Sequence, residues 1–248
     1  MAEEREYMRD IERYTNTLSK LTAKHLIKKL PEIERQRALE ISVKDAFGDE
    51  IESSLATIRL ELGREWTQKE LVEIARKRGI SVAKVNQINK ERNWKRVVGI
   101  DLVQAEPWLA DYLGAYALNN AQLISSVGDR YLNEISNIVY QGFTSGTRWE
   151  DIAESIAERF GVAESRADLI ARDQVNKLNG SITQVRQQAL GVDRYTWRTM
   201  GDDRVRESHR EKDGNIYSWD DPPNDTGHPS EEINCRCYAE PVIDDLLE

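Results

Sequence analysis

The sequence predicts an α+β fold, mostly α: a helical N-terminal and central region, then a small C-terminal, loop-rich domain with antiparallel strands. Three observations carry this. Only Pro31 and Pro107 occur before residue 200, while Pro222, Pro223, Pro229 and Pro241 crowd the tail. Proline removes an amide donor and breaks helices. Up to about residue 190, apolar residues recur at spacings of three and four, the helical period. From Arg194 the pattern switches to alternation, the period of a strand.

In chain order, Tyr7, Ile11, Tyr14, Leu18, Leu21, His25 and Leu26 place a first helix over residues 3–29, punctuated by Pro31. A second, over 32–46, ends near Gly48, and a third, over 50–62, ends at Gly63. Thr67 and Glu70 have capping-box spacing and open a helix that stops at Gly79. Ser81 opens the next, running toward Val98. After Pro107, the run from Leu109 through Tyr112, Leu123, Tyr131 and Val139 marks 108–140 as one long helix, or a pair broken at Gly128. Gly142 and Gly146 make a turn. Thr147 and Glu150 repeat the capping-box spacing, and Ile152, Ile156 and Phe160 line a helix stopped by Gly161. Residues 163–190 form a further helix, ended by Gly191. Strands are expected over 194–199, with Tyr195, Trp197 and Thr199 on one side, and near 215–219 and 237–243.

The 248 residues suit one large domain or two small ones, at roughly 100–200 residues each. Net charge is -9, which argues against a uniformly basic protein that coats nucleic acid. The charge is uneven: residues 51–100 carry 11 Lys+Arg against 6 Asp+Glu, and residues 201–248 carry 5 against 14. No apolar run approaches the roughly 18 residues of a membrane span, and the opening MAEEREYMRD lacks the apolar stretch of a secretory signal. Cys235 and Cys237, the only cysteines, stand too close for a favourable disulfide, so a reducing compartment is expected.

The tail holds the strongest chemical signal. His209, His228, Cys235 and Cys237 make a set of nitrogen and sulfur donors of the kind zinc takes in a closed tetrahedral site. In a strand, Cys235 and Cys237 would share one face while Arg236 points away to pair with carboxylates. The C-x-C spacing departs from the usual C-x2-4-C. The bland alternative is a buried cysteine pair, with His209 bonded to a local carboxylate. A Cys–His hydrolase is disfavoured, because no glycine-flanked nucleophile turn accompanies the pair. No enzymatic role is expected.

A second signal is residues 71–90. Ala75, Gly79 and Val85 are spaced as in a helix-turn-helix, within a basic stretch over 67–98. Arg76, Lys77, Arg78, Lys84, Lys90, Arg92, Lys95 and Arg96 are the candidate phosphate contacts. Arg78 sits where the first helix of such a motif buries an apolar side chain, and a structural basic hairpin fits the same residues. The six tryptophans read as core anchors, and Asp202–Asp203 as a turn cap or a cation site.

One ordered series is specific. It comprises Tyr195 and Trp197, Asp202 to Val205, His209, Asp213–Gly214, Tyr217 and Trp219, Pro222–Pro223, His228–Pro229, and Asn234 to Cys237. It resembles the C-terminal domain of the phage Mu F-like, or phage head morphogenesis, family. TRWEDIAESIAERF and RADLIARDQVNKLNG are also similar to that family. The resemblance implies a variable helical region over 1–109 and a Mu F-like domain over 110–248, helical over 110–190 with a small β unit over 194–243. Some relatives carry C-x-x-C where this chain has Arg206 and His209, so one potential ligand is missing here. The resemblance further implies a minor head protein of a tailed phage, associated with portal, capsid or scaffold protein, folded in the host cytoplasm and carried in the virion. Non-specific DNA contact and zinc accompany that reading, and no membrane does. The alternative is a helix-turn-helix DNA-binding regulator using residues 67–98. The apolar stripes of 108–140 and 163–190 exceed what a small domain needs, which suggests a docking surface for an oligomeric partner.

Overall fold

The computed structural model describes residues 2–39, 46–98 and 106–243, without the side chains of 37–39, 46, 47 and 93–98. Helix α1 spans Ala2–His25 and a 3-10 turn spans Ile27–Lys29. They are followed by α2 (Leu30–Leu39), α3 (Ala46–Glu65), α4 (Gln68–Val98), α5 (Leu109–Ser145) and α6 (Trp149–Gln188). Then come strand β1 (Arg194–Arg198), a short α7 (Glu207–Arg210), β2 (Ile216–Ser218) and β3 (Tyr238–Pro241). The fold is α+β and mostly α, and all three expected strands form. The chain divides into two compact units. One holds Arg5–Ala75 and Ala117–Ile170; the other holds Met1–Glu4, Arg76–Tyr116 and Ala171–Glu248.

The helical core of the first unit includes Leu30 and Ile33 of α2 together with residues of α1, α3, α5 and α6. Tyr7, Ile11, Tyr14 and Leu18 of α1 are buried, as are Ile51, Leu55, Ile58 and Leu62 of α3, Ile124, Val127 and Tyr131 of α5, and Ile152 and Ile156 of α6. The Tyr7 hydroxyl donates to Asn120 Oδ1 at 3.0 Å and the Tyr14 hydroxyl to the Ser125 carbonyl at 3.4 Å. The phenols thereby keep hydrogen bonds inside an apolar core. The apolar stripe of α5 is thus largely consumed within this core rather than left for a partner.

Several expected breaks are absent. Gly48, Gly63, Gly79, Gly128, Gly142 and Gly161 all lie inside helices. A helical glycine costs roughly 1 kcal/mol relative to alanine, and at three of these positions packing explains its presence. A Cβ at Gly128 would lie 2.3 Å from the Tyr14 hydroxyl, and one at Gly142 2.7 Å from Ile152 Cγ1. At Gly79 it would lie 3.1 Å from Leu113 Cδ2 and Tyr116 Cδ1. The turn expected from Gly142 and Gly146 is made by Gly146 alone, at φ 84.

Gly79 therefore ends no helix, and α4 runs unbroken from Gln68 to Val98. This corrects the helix-turn-helix reading, because no turn separates two helices over 71–90. The Thr67–Glu70 capping box does form: the Thr67 amide donates to Glu70 Oε2 at 2.8 Å, and the Glu70 amide to Thr67 Oγ1 at 3.3 Å. The Thr147–Glu150 box does not. Thr147 Oγ1 bonds Ser145 Oγ instead, and the first amide of α6, Trp149, donates to Glu34 Oε1 at 3.0 Å. Pro31 is the second residue of α2, where its missing amide costs no helical bond.

The sheet has the order β2-β1-β3 and is antiparallel throughout, with Tyr195 opposite Tyr217 on one edge and Trp197 opposite Ala239 on the other.

Gly161 gives a direct test of the continuous α6, since nothing lies within 4 Å of an added Cβ. Gly161→Ala is expected to raise unfolding free energy by about 0.5–1 kcal/mol in denaturant titration. Were the helix broken there by a left-handed glycine, the same change would destabilise.

Candidate metal centre

The C-terminal site is built from the last turns of α6 outward. Gln187 closes the helix onto the sheet. Its Oε1 accepts from Trp219 Nε1 at 3.2 Å, its Nε2 donates to the Ala239 carbonyl at 3.1 Å, and its own carbonyl accepts from the Val192 amide at 3.0 Å. Gly191, at φ 78, supplies the left-handed residue that turns the chain into β1. Tyr195 and Trp197 of β1 are then fully buried, in one cluster with Trp219, Cys235, Cys237 and Ala239.

Trp197 packs edge-on against His209, with ring centroids 5.4 Å apart. His209 lies in α7 rather than in an open loop, and is buried. The loop carrying the cysteines bends through two non-glycine residues at positive φ, Ser230 at 73 and Asn234 at 61. Such backbone costs on the order of 1–3 kcal/mol and persists where the surroundings over-determine it. Here they do. The Ser230 amide donates to Cys235 Sγ at 3.3 Å, Ser230 Oγ donates to the Cys237 carbonyl at 2.8 Å, and the Asn234 amide donates to Asp173 Oδ1 on α6 at 2.9 Å. Both cysteines are free thiols that precede β3. Their common side comes from this knuckle and not, as expected, from strand alternation. Arg236 does point away, and pairs with both Asp202 oxygens at 2.8 and 2.5 Å. Asp202 is thereby a carboxylate partner in an ion pair.

His209 Nδ1 lies 3.4 Å from Cys237 Sγ and 3.5 Å from Cys235 Sγ. Its Nε2 lies 2.7 Å from Glu232 Oε2. In a tetrahedral site with sulfur about 2.3 Å and nitrogen about 2.0–2.1 Å from zinc, the S···N edge is about 3.6 Å. The observed separations match that edge, and the carboxylate behind the far nitrogen is the partner a metal-bound imidazole uses to fix its tautomer. The three side chains fit zinc. Electrostatics point the same way. The hydrogen bond from Cys237 lowers the Cys235 thiol, assisted by the Cys237 and Ser230 amides and by His209, while burial opposes. The Cys237 thiol is pushed up, by its hydrogen bond with Cys235 and by burial.

His228, the fourth expected ligand, is not in this group. Among the described residues the donors brought together are His209, Cys235 and Cys237. His228 Nδ1 sits 3.0 Å from the Tyr195 hydroxyl, and its ring packs on Trp219 with centroids 5.0 Å apart. The group is therefore a three-ligand set, short of the closed site expected. Sequence reasoning missed Glu232, Ser230 and Asp173. The only available signal was a carboxylate three residues before Cys235.

Of the basic candidates on α4, Arg76, Lys77, Lys84 and Arg92 are exposed, whereas Arg78 and Lys90 are partly buried. The side chains of Lys95 and Arg96 lie outside the described residues.

With this geometry the comparisons fall into place. Residues 133–240 match the phage Mu protein F like family. That stretch holds His209, Cys235, Cys237 and the sheet pairings around β1, and bears out the resemblance. An uncharacterized protein of Haemophilus influenzae is 40% identical over 162 residues, 64% of this chain and 36% of that protein. The minor head protein GP7 of Bacillus phage SPP1 is 26% identical over 127 residues, 46% of this chain and 41% of that one. An NAD(+)--arginine ADP-ribosyltransferase, EFV of Enterococcus faecalis, is 26% identical over 132 residues, 48% of this chain and 27% of that enzyme. The chain thus spans well under half the length of these relatives. No solved structure matches it. Among the described residues no helix is long and apolar enough to cross a membrane.

Two measurements test how the site is held. A Cβ at Gly180 of α6 would meet Ser230 Cβ at 2.7 Å and the Pro229 carbonyl at 3.0 Å. Gly180→Ala must therefore displace the knuckle backbone. We expect a loss of about 1–3 kcal/mol in unfolding free energy in denaturant titration. His228 gives a pH dependence. Burial pushes its imidazole below the ordinary 6.5, against the pull of Glu231. The unfolded chain then binds the proton more readily, so stability is full above pH 6.5 and declines as pH falls below it. In melting curves from pH 7.5 to 5, His228→Gln should show a shallower decline than wild type. Equal slopes would remove His228 as the source.

Proposed function

We propose that this chain is a minor head protein of a tailed bacteriophage, acting in head morphogenesis at the portal vertex, with a C-terminal unit cross-linked by structural zinc. The observation that carries the head role is the family match over the segment that builds the metal centre, together with the similarity to a minor head protein. The site favours structure over catalysis. His209 is buried with both of its nitrogens committed, to the thiols and to Glu232. Portal, capsid or scaffold proteins are the partners of this reading, with assembly in the host cytoplasm and residence in the virion head. Contact with packaged DNA belongs to it as a secondary feature, through the exposed basic residues of α4 and counterion release.

In this proposal His209, Cys235 and Cys237 hold zinc, which supplies a cross-link between α7 and the strand-edge loop that the few apolar residues there could not match. Protein purified without chelator should contain about one zinc per chain by elemental analysis, and Cys235→Ser should both lose it and melt the C-terminal unit. Metal-free protein whose melting curve ignores chelation would leave only a packed, hydrogen-bonded triad. For the head role, mass spectrometry of purified procapsids and virions should detect the protein at few copies per particle. Its absence from both would overturn the assignment.

A further inference from the structure

The metal centre borders a cavity of about 700 Å³ whose walls include Arg172, Arg204, Arg206 and Arg236 together with Asn176 and Asn179. The volume lies in the range of small-molecule sites, roughly 300–1,000 Å³. Glu4 is the single carboxylate among its described lining residues. Three of the four guanidiniums are held by acceptors of the protein: Arg206 by Glu232 at 2.8 Å and by the Ile233 carbonyl, Arg236 by Asp202 through both terminal nitrogens, and Arg204 by Asp202 at 3.7 Å. Tethering fixes their positions without consuming every donor, since each guanidinium carries five N–H groups.

Arg172 is different. It projects from α6, and its Nε is out of contact with water and has no hydrogen-bond partner among the described residues. Arg172 is half-buried as a whole, and a buried N–H donor without an acceptor is uncommon in folded proteins. Asn179 gives its side-chain oxygen to Asn86 Nδ2 at 2.9 Å, which leaves its own amide N–H groups for another acceptor. Arginine forks and amide donors converging on one space form the recognition set for a phosphate-type oxyanion.

We infer that this cavity is an oxyanion-binding site, with Arg172 as the principal donor and phosphate as the ligand class. The ligand is either a free phosphate or phosphomonoester, or a phosphodiester of a nucleic-acid backbone. The inference needs neither the zinc nor the head role, and goes beyond both. A second consequence separates it from a structural role for Arg172. An arginine kept for packing loses stability when replaced, whereas one kept for a ligand is a burden to the empty protein. Arg172→Gln should therefore melt at or above the wild-type temperature without ligand.

The test uses the full chain as purified, titrated by calorimetry with inorganic phosphate in one arm and a short single-stranded oligonucleotide in the other. Saturable binding in either arm is expected, weakened at least about tenfold by Arg172→Gln and less by Asn176→Ala. Phosphate binding that responds to Arg172 identifies a free-phosphate site; oligonucleotide binding alone that responds to it identifies the backbone. No binding in either arm, or binding unchanged by both variants, overturns the inference. If Arg172→Gln fails to fold, the unliganded prediction is already broken, and Asn176→Ala then decides the binding claim.

Discussion

Five residues, Arg194–Arg198, hold the C-terminal unit together, because β1 is hydrogen-bonded on both of its edges. A strand paired on both sides cannot slip by one residue without turning Tyr195 and Trp197, both fully buried, to the opposite face. From that constraint the rest follows. Trp197 sets the plane of His209 by edge-on packing. The knuckle that leads into β3 then places the two cysteine sulfurs 3.4 and 3.5 Å from His209 Nδ1. Gln187 ties both neighbouring segments back to α6 through side-chain bonds to Trp219 and Ala239. His209, Cys235 and Cys237 are thus brought together from two stretches of chain, α7 and the knuckle before β3.

The knuckle around Cys235 shows how local strain is sustained. Ser230 and Asn234 adopt left-handed backbone, which asparagine tolerates and serine disfavours. Each is held by a bond whose partner is itself buried or fixed: a thiol sulfur for Ser230, and the Asp173 carboxylate for Asn234. The close approach of Gly180 to this loop completes the arrangement. The result is a Cys235 sulfur that accepts from the Ser230 amide and whose thiol is lowered by the hydrogen bonds around it.

Much of the site was legible before folding. His209, Cys235 and Cys237 were identifiable because both cysteines and two of the three histidines lie within one short, proline-rich tail. His228 was indistinguishable from them on that criterion. It differs only in facing Tyr195 and Trp219 rather than the sulfurs. Glu232 carried no signal of its own among the many carboxylates of the tail, and acquires a role only when a turn brings it to His209 Nε2.

What the sequence determined by itself was most of what neighbours along the chain govern; the Thr147–Glu150 box is the exception, displaced by Ser145 and by Glu34 from a distant helix. Determined in this way are the helical period of the first 190 residues, the capping box at Thr67 and Glu70, and the alternation that forms the three strands. These depend on backbone geometry and on side chains within a few positions, so reading in order is enough. The fate of three glycines was decided by tertiary structure. Gly79, Gly128 and Gly142 look like punctuation in one dimension. In the fold they are the places where Leu113 and Tyr116, Tyr14, and Ile152 come closest to a helix backbone. A missing Cβ permits both a break and a close contact, and the choice belongs to residues distant in sequence. The same reason made one unbroken α4 out of an expected hairpin, and a three-donor centre out of four candidates.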